Sequence, residues 1–339
     1  MSTGGYALHG YNEGSLYQRT LLMKLSDVFM ESLEHARSST SEQIVIADYG
    51  SSEGYNSMVF LRRALSKIRE NSFNQILVIH NDLPENEWTK TFKTILESEE
   101  SYLKLPNVYF LTVGRSFYDQ ILPNNSVHIG FTSAAFHWLS QPLSAPDHAI
   151  PSSSSDPDFK NLAYSLAHDD LVILLRNRHK ELTNSGQLIV QILLENSPII
   201  NSFGAIINTT VENAFRKGYI TEDEKRSITV PWYGRSYEEI QRALNEISDL
   251  YKVISFPHLD DNELYFDNLP EEIRVEIMNE LKNLEAYFLK GALQRAIKRN
   301  EEEKNAIYVM LITELFDVID TSKVDRWPTF QYFVLEKNS

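Results

Sequence analysis

The stretch Ile44-Val45-Ile46-Ala47-Asp48-Tyr49-Gly50-Ser51-Ser52-Glu53-Gly54-Tyr55-Asn56 constrains the fold more than any other part of the chain. Its apolar half lies between polar flanks, as a strand buried on both faces should. Gly50 and Gly54 allow a tight turn and close approach of a ligand to the backbone. Asn56 is expected at the N-cap of the next helix, where Met58, Leu61, Leu65 and Ile68 recur at helical spacing. Strand, glycine loop and helix in this order form the unit with which open α/β sheets bind nucleotide-like ligands.

The loop carries neither the G-x-G-x-x-G of a dinucleotide site nor the G-K-[ST] ending of a phosphate loop. Asp48 at the strand end would repel a pyrophosphate but suits a cationic or hydroxyl-bearing ligand. S-adenosylmethionine, with an ammonium, a sulfonium, a ribose diol and no phosphate, meets that description. The spacing leaves two readings open, a methyltransferase and a glycine turn in some other α/β domain.

Further strands are expected at Gln75–Ile79, Val108–Val113, Val127–Phe131, Gln187–Leu194 and Tyr251–Phe256, with Thr329–Leu335 as a final edge strand. Helical spacing separates them, at about 16–37, 56–70, 88–96 and 159–182, with Ser185-Gly186 closing the last of these. Later helices are expected from Asn268-Leu269-Pro270 onward and at Ala306–Ile319, with Lys298–Lys304 as a charged turn between them. Regular alternation of this kind implies an α/β fold, a mostly parallel sheet with helices on both faces. Asp82 ends the second strand, where such folds grip a ribose through its two hydroxyls.

Composition narrows the partners. Lys and Arg total 32 against 47 Asp and Glu, a net charge of −15, which disfavours non-specific binding to nucleic acid or an anionic membrane. The absence of cysteine excludes disulfides and thiolate chemistry. The first residues lack a signal-peptide pattern and no apolar run is long enough to span a bilayer, so a soluble, cytoplasmic protein is expected.

Several separated stretches then agree in order: Tyr11 to Gln18, Ile46 to Gly54, Asn81-Asp82-Leu83-Pro84, Gly114-Arg115-Ser116-Phe117-Tyr118 and Phe136-His137-Trp138-Leu139-Ser140-Gln141. Asp169-Asp170, Leu174-Leu175-Arg176, Glu181, Ser185 to Leu188 and Pro231-Trp232-Tyr233 extend the pattern. Together they resemble the SABATH methyltransferases, the salicylate, benzoate and theobromine type. The chain departs from that pattern at Glu53, where a small residue is usual, at Tyr49, where Leu is usual, and in the Pro/Ser-rich loop after Gln141.

The resemblance implies a Rossmann-like methyltransferase fold with a seven-stranded, mostly parallel sheet, a mostly helical cap and a homodimer. It divides the chain into an N-terminal segment and helix over the active site (1–40), a cofactor-binding core (41–200), a helical cap (201–250) and remaining core strands with inserted cap helices (251–339). The cofactor implied is S-adenosylmethionine. By position, Ser15 and Asp48 would face its methionine end, Asp82 its ribose, and Leu83, Ser116 and Phe117 its adenosine, with Tyr11, Gly50 and Asn56 also in contact. Gln18, His137, Trp138 and Trp232 would meet the acceptor. The implied reaction is methylation of a small carboxylic acid to its methyl ester, with positioning residues and neither a catalytic base nor a metal. Two alternatives remain: methylation of a heterocyclic nitrogen, and a cofactor-binding homologue without catalysis.

Overall fold

Seven strands form a single sheet in the computed structural model, which describes residues 10–39, 43–70, 74–145, 147–195, 198–257, 270–321 and 330–338. They are β1 (Gln43–Tyr49), β2 (Gln75–Asp82), β3 (Val108–Gly114), β4 (Val127–Ser133), β5 (Leu182–Leu193), β6 (Tyr251–Ser255) and β7 (Phe330–Lys337). Their order across the sheet is β3-β2-β1-β4-β5-β7-β6. β1 to β5 pair in parallel, and β7 runs antiparallel to both β5 and β6. The chain leaves β1 toward β2 on one side and returns to β4 on the other. The carboxyl ends of β1 and β4 therefore flank a topological switch point, where open α/β sheets form their ligand crevice.

Alternation along the strands divides the core between the two faces of the sheet. Ile44 and Ile46 of β1 and Val78 of β2 pack under α2 (Ser26–Ser39) and α3 (Tyr55–Arg69), through Phe29, Leu33, Met58 and Leu65. Val45, Ala47 and Tyr49 face the other way, toward Leu171 and Leu174 of α5 (Pro157–Glu181) and Ile240 of α8 (Tyr237–Glu246). A third apolar cluster lies apart from both faces. It joins α6 (Pro198–Arg216), α9 (Glu271–Ala296) and α10 (Glu301–Thr321) through Ile207, Val211, Leu289, Leu293 and Leu311, and it includes Trp138. α8 falls inside the 201–250 segment but packs on the sheet rather than with these helices. No helix among the described residues is long and apolar enough to cross a membrane.

Several boundaries differ from the sequence reading. The first helix is broken into α1 (Leu16–Met23) and α2, because Lys24 and Leu25 donate to carbonyls three residues back and Ser26 Oγ takes the Met23 carbonyl at 2.6 Å. β7 is not an edge strand: it pairs on both sides, and β6 holds the edge. β5 begins at Leu182 rather than Gln187, with Ser185 at φ 58° taking the left-handed turn that the sequence assigned to a helix end. Glu301 to Lys304 are the first turn of α10, where three glutamates favour the positive helix end. The expectations for residues 1–9, Asn268-Leu269 and Thr329 lie outside the described residues.

One buried ion pair fixes the loop beyond β3. Arg178 and Glu181 at the end of α5 are both fully buried. Arg178 donates to the carbonyls of Phe117 at 2.6 Å and Asp119 at 2.7 Å, and to Glu181 at 2.9 Å, with its guanidinium 4.4 Å from the Tyr49 ring centre. Glu181 also accepts from Tyr49 Oη at 2.8 Å and from the Ile121 amide at 2.7 Å. Removing one member of such a pair leaves an uncompensated buried charge. Arg178→Met is therefore expected to lower the unfolding free energy by about 3–5 kcal/mol in urea denaturation.

Candidate active site

The turn after β1 points a run of backbone amides away from any helix or sheet partner, and the neighbouring strand ends supply acceptors. The amides of Gly50 and Ser51 both donate to the Asn81 carbonyl at 2.9 Å. Ser52 N–H donates to one oxygen of Asp82 at 2.7 Å, and Leu83 N–H to the other at 2.8 Å. The Asn81 side chain extends the link to β3, donating to the carbonyls of Val113 at 2.9 Å and Arg115 at 2.7 Å. Gly50 has φ 88°, and a Cβ there would lie 2.4 Å from Ala135 Cβ. Only glycine lets the β1 and β4 loops meet this closely.

The N-terminal segment closes over this turn. The first described amides of the chain bind Glu53, with Gly10 N–H at 2.5 Å and Asn12 N–H at 2.9 Å. Asn12 Oδ1 in turn accepts from Tyr55 N–H at 3.2 Å, the first residue of α3. This overturns the expected cap. The N-cap of α3 is Gly54, at φ 85°, and the side-chain acceptor comes from a residue far upstream. Asn56 lies within the first turn and donates to Ser15 Oγ at 3.0 Å and the Ser15 carbonyl at 3.3 Å.

Between these walls lies a cleft open to solvent, with about 60 Å³ of enclosed space. Tyr11, Gly50, Asp82, Leu83, Ser116, Phe117 and Trp138 of the expected site residues line it together. Asp48 lies beneath the lining, 4% exposed, its carboxylate accepting from His80 Nδ1–H at 3.1 Å. Ser15, Gln18, Asn56, His137 and Trp232 are also outside the lining. Burial, followed by the neighbouring Asp48, raises the Asp82 carboxyl to about 6 against the opposing pull of its two amide bonds. Burial, then Asp82 and Asp48, pushes the Tyr11 hydroxyl well above its ordinary range, so it stays protonated.

The far wall is aromatic. Trp138 sits 5.7 Å from the Trp232 ring and 5.6 Å from Phe288, and the Trp138 and Trp232 backbones form an isolated bridge. The His137 ring stacks on Trp138 at 5.9 Å, and burial followed by Arg235 lowers its pKa to about 3. Among the described residues, Gln18 Oε1, His137 Nδ1 and Trp232 Nε1 are buried without a hydrogen-bond partner. Gln18 lies on α1, which packs against β4 and α9.

Sequence reasoning missed the residues that hold this wall. Tyr118 Oη donates to the Trp138 carbonyl at 2.5 Å, Asp170 accepts the Ser140 amide at 2.7 Å, and buried Arg235 donates to the Phe136 carbonyl at 3.3 Å. Tyr118 and Asp170 stand inside motifs of the family pattern, but no local spacing shows which distant backbone group each will reach.

The lining tests which ligand fits. No Lys or Arg is among its described residues, so nothing there answers a phosphate. Each Asp82 oxygen receives a single amide and keeps a lone pair, a set that suits the two hydroxyls of a ribose. Both strand-end carboxylates suit a cationic nucleoside. Residues 1–263 match the family described as SAM dependent carboxyl methyltransferase. Methyltransferase FUS9 of Gibberella moniliformis is 26% identical over 250 residues, covering 72% of this chain and 67% of that one. Loganic acid O-methyltransferase of Catharanthus roseus is 24% identical over 310 residues, covering 82% and 81%. The solved loganic acid methyltransferase with SAH superposes with a TM-score of 0.77 at 18% identity, over 100% of this chain and 99% of its own, which establishes the shared fold. The chain belongs to the S-adenosylmethionine-dependent carboxyl methyltransferases of the SABATH family, and its cofactor is S-adenosylmethionine.

Proposed function

We propose that the protein methylates the carboxylate of a small organic acid, giving a methyl ester. The observation that carries this reading is the junction of two unlike walls in one cleft, Asp82 with its spare lone pairs on one side and Trp138 on the other. S-adenosylmethionine supplies the methyl group on a sulfonium that needs no further activation. Asp82 would hold the ribose hydroxyls, with Leu83, Ser116 and Phe117 around the adenosine. Asp48 and Ser15 act on the methionine end, Asp48 through its field from beneath the lining. The relative named for loganic acid supports a carboxylic acid as acceptor.

A carboxylic acid, with a reference pKa of about 4, is ionised near neutral pH. The chain therefore need not supply a general base. Its work is to orient the acceptor and exclude water, which is worth about 7–11 kcal/mol in favourable cases. Gln18 and Trp138 hold one carboxylate oxygen through neutral donors and leave the other free to react. An arginine would grip both oxygens and blunt them. His137, its pKa lowered by burial and Arg235, is neutral throughout the working range and packs or positions the acceptor without charge. Trp232 Nε1, a donor buried and unpartnered among the described residues, is hydrogen-bonding capacity that the fold itself does not use.

Asp82→Ala should weaken S-adenosylhomocysteine binding by about 1–3 kcal/mol in calorimetry, and wild-type affinity would reject a ribose role. Trp138→Phe removes the indole donor but keeps an aromatic wall. It is expected to lower kcat/KM for the acid about tenfold while cofactor affinity holds. The pH dependence follows from Asp82. Its ionised form accepts both ribose hydroxyls, so cofactor affinity should decline as pH falls through about 6. In the free protein the sign is opposite for stability. A carboxyl raised above its unfolded value of about 4 contributes most below that value. This contribution is lost as pH rises through about 6, a trend that chemical denaturation across the range reads directly.

A further inference from the structure

We propose that Glu53 is a positioning residue for cofactor binding, acting through Tyr11; this rests on the cofactor site described above. Glu53 is fully buried in the loop between β1 and α3, yet its carboxylate serves the N-terminal segment that crosses the loop. One oxygen accepts from Gly10 N–H at 2.5 Å, and the other from Asn12 N–H at 2.9 Å. Lys90 Nζ stands 3.0 Å from the same carboxylate and binds Glu13 at 2.7 Å. Against partial burial, Glu13 and Glu53 hold the Lys90 ammonium above its ordinary range. The carboxylate thus fixes the amides on both sides of Tyr11, and Tyr11 lines the cofactor cleft beside Asp82.

The chemistry of the position is specific. A buried carboxylate is tolerated only where charge and hydrogen bonds compensate its desolvation, and here two amides and one ammonium do so. An alanine could not replace it, since both amides would lose their acceptor. A glutamine keeps the volume, but its NH₂ would face an amide donor and it offers Lys90 no charge. Gly10, at φ 78°, turns the chain so that its amide and that of Asn12 converge on one side chain. The clamp fixes the backbone and leaves the Tyr11 ring directed to the cleft, where the negative fields of Asp82 and Asp48 reach its hydroxyl.

The test is a double-mutant cycle on the full chain, with S-adenosylhomocysteine affinity read by calorimetry. Glu53→Ala should weaken binding about tenfold in the wild-type background and less than about twofold in a Tyr11→Ala background, because coupled residues are non-additive. Equal losses in both backgrounds, or wild-type affinity in Glu53→Ala, would overturn the proposal. Hydrogen exchange supplies a readout that a general structural role would not give. The Asn12 amide should exchange faster in the variant while that of Ile46 in β1 is unchanged, and faster exchange at both overturns the assignment. If Glu53→Ala does not fold, Glu53→Gln takes its place in the cycle, with the same results supporting or overturning the proposal. Asp82→Ala separates the cofactor site from the clamp. A wild-type chain that does not bind the nucleoside, or binds it regardless of Asp82, defeats the cofactor-site reading and this proposal with it. Loss with Asp82→Ala beside no loss with Glu53→Ala defeats this proposal alone.

Discussion

Buried backbone amides must find acceptors, and the sharp turn after β1 creates several that neither sheet nor helix can satisfy. Much of the site follows from how they are answered. Gly50 and Ser51 turn to the Asn81 carbonyl, Ser52 to Asp82, and Tyr55 to Asn12. Each bond ties the glycine loop to a different part of the chain, either the end of β2 or the N-terminal segment. The groups that complete the turn are thereby the groups that shape the cleft. Asp82 is held at both oxygens by backbone and lines the cleft with lone pairs to spare.

The same arrangement sets the electrostatics. Two carboxylates sit at adjacent strand ends. Burial, with a smaller contribution from Asp48, raises the Asp82 carboxyl, and Asp48 has a fixed partner in His80. His80 lies opposite Asp48 in the β1–β2 register, and its second ring nitrogen meets Tyr102 Oη at 2.8 Å. One imidazole therefore links the Asp48 carboxylate to the Tyr102 phenol. The aromatic wall has an economy of charge, since His137 stays neutral beside Arg235, which is spent on backbone carbonyls of Phe136 and Ala167.

How much of this is legible in the sequence depends on distance along the chain. The strands and most helices rest on local periodicity, and Ile44–Ala47 or Met58–Ile68 announce their buried faces plainly. The cap of α3 escapes a local reading because Asn56 satisfies the local rule while Asn12, forty-three residues before Tyr55, provides the bond. β7 reads as an edge because alternation alone does not say that β6 will pair beyond it. Asp82, Leu83, Ser116, Phe117 and Trp138 converge on one cleft because strand ends in a parallel sheet share an edge. Glu53, visible as a departure from the family pattern, gains assignable partners only with the N-terminal segment folded across it. Arg178 and Arg235 are likewise unreadable, since burial of a guanidinium depends on carbonyls contributed by remote loops.

The most direct measurement is a crystal structure of the protein with S-adenosylhomocysteine. The account predicts both ribose hydroxyls within about 2.6–3.2 Å of the Asp82 carboxylate, the adenine between Leu83 and Phe117, and Trp138 facing the space beyond the sulfur. A nucleoside seated away from the β1 and β2 ends, or bound there with its ribose turned from Asp82, would contradict it.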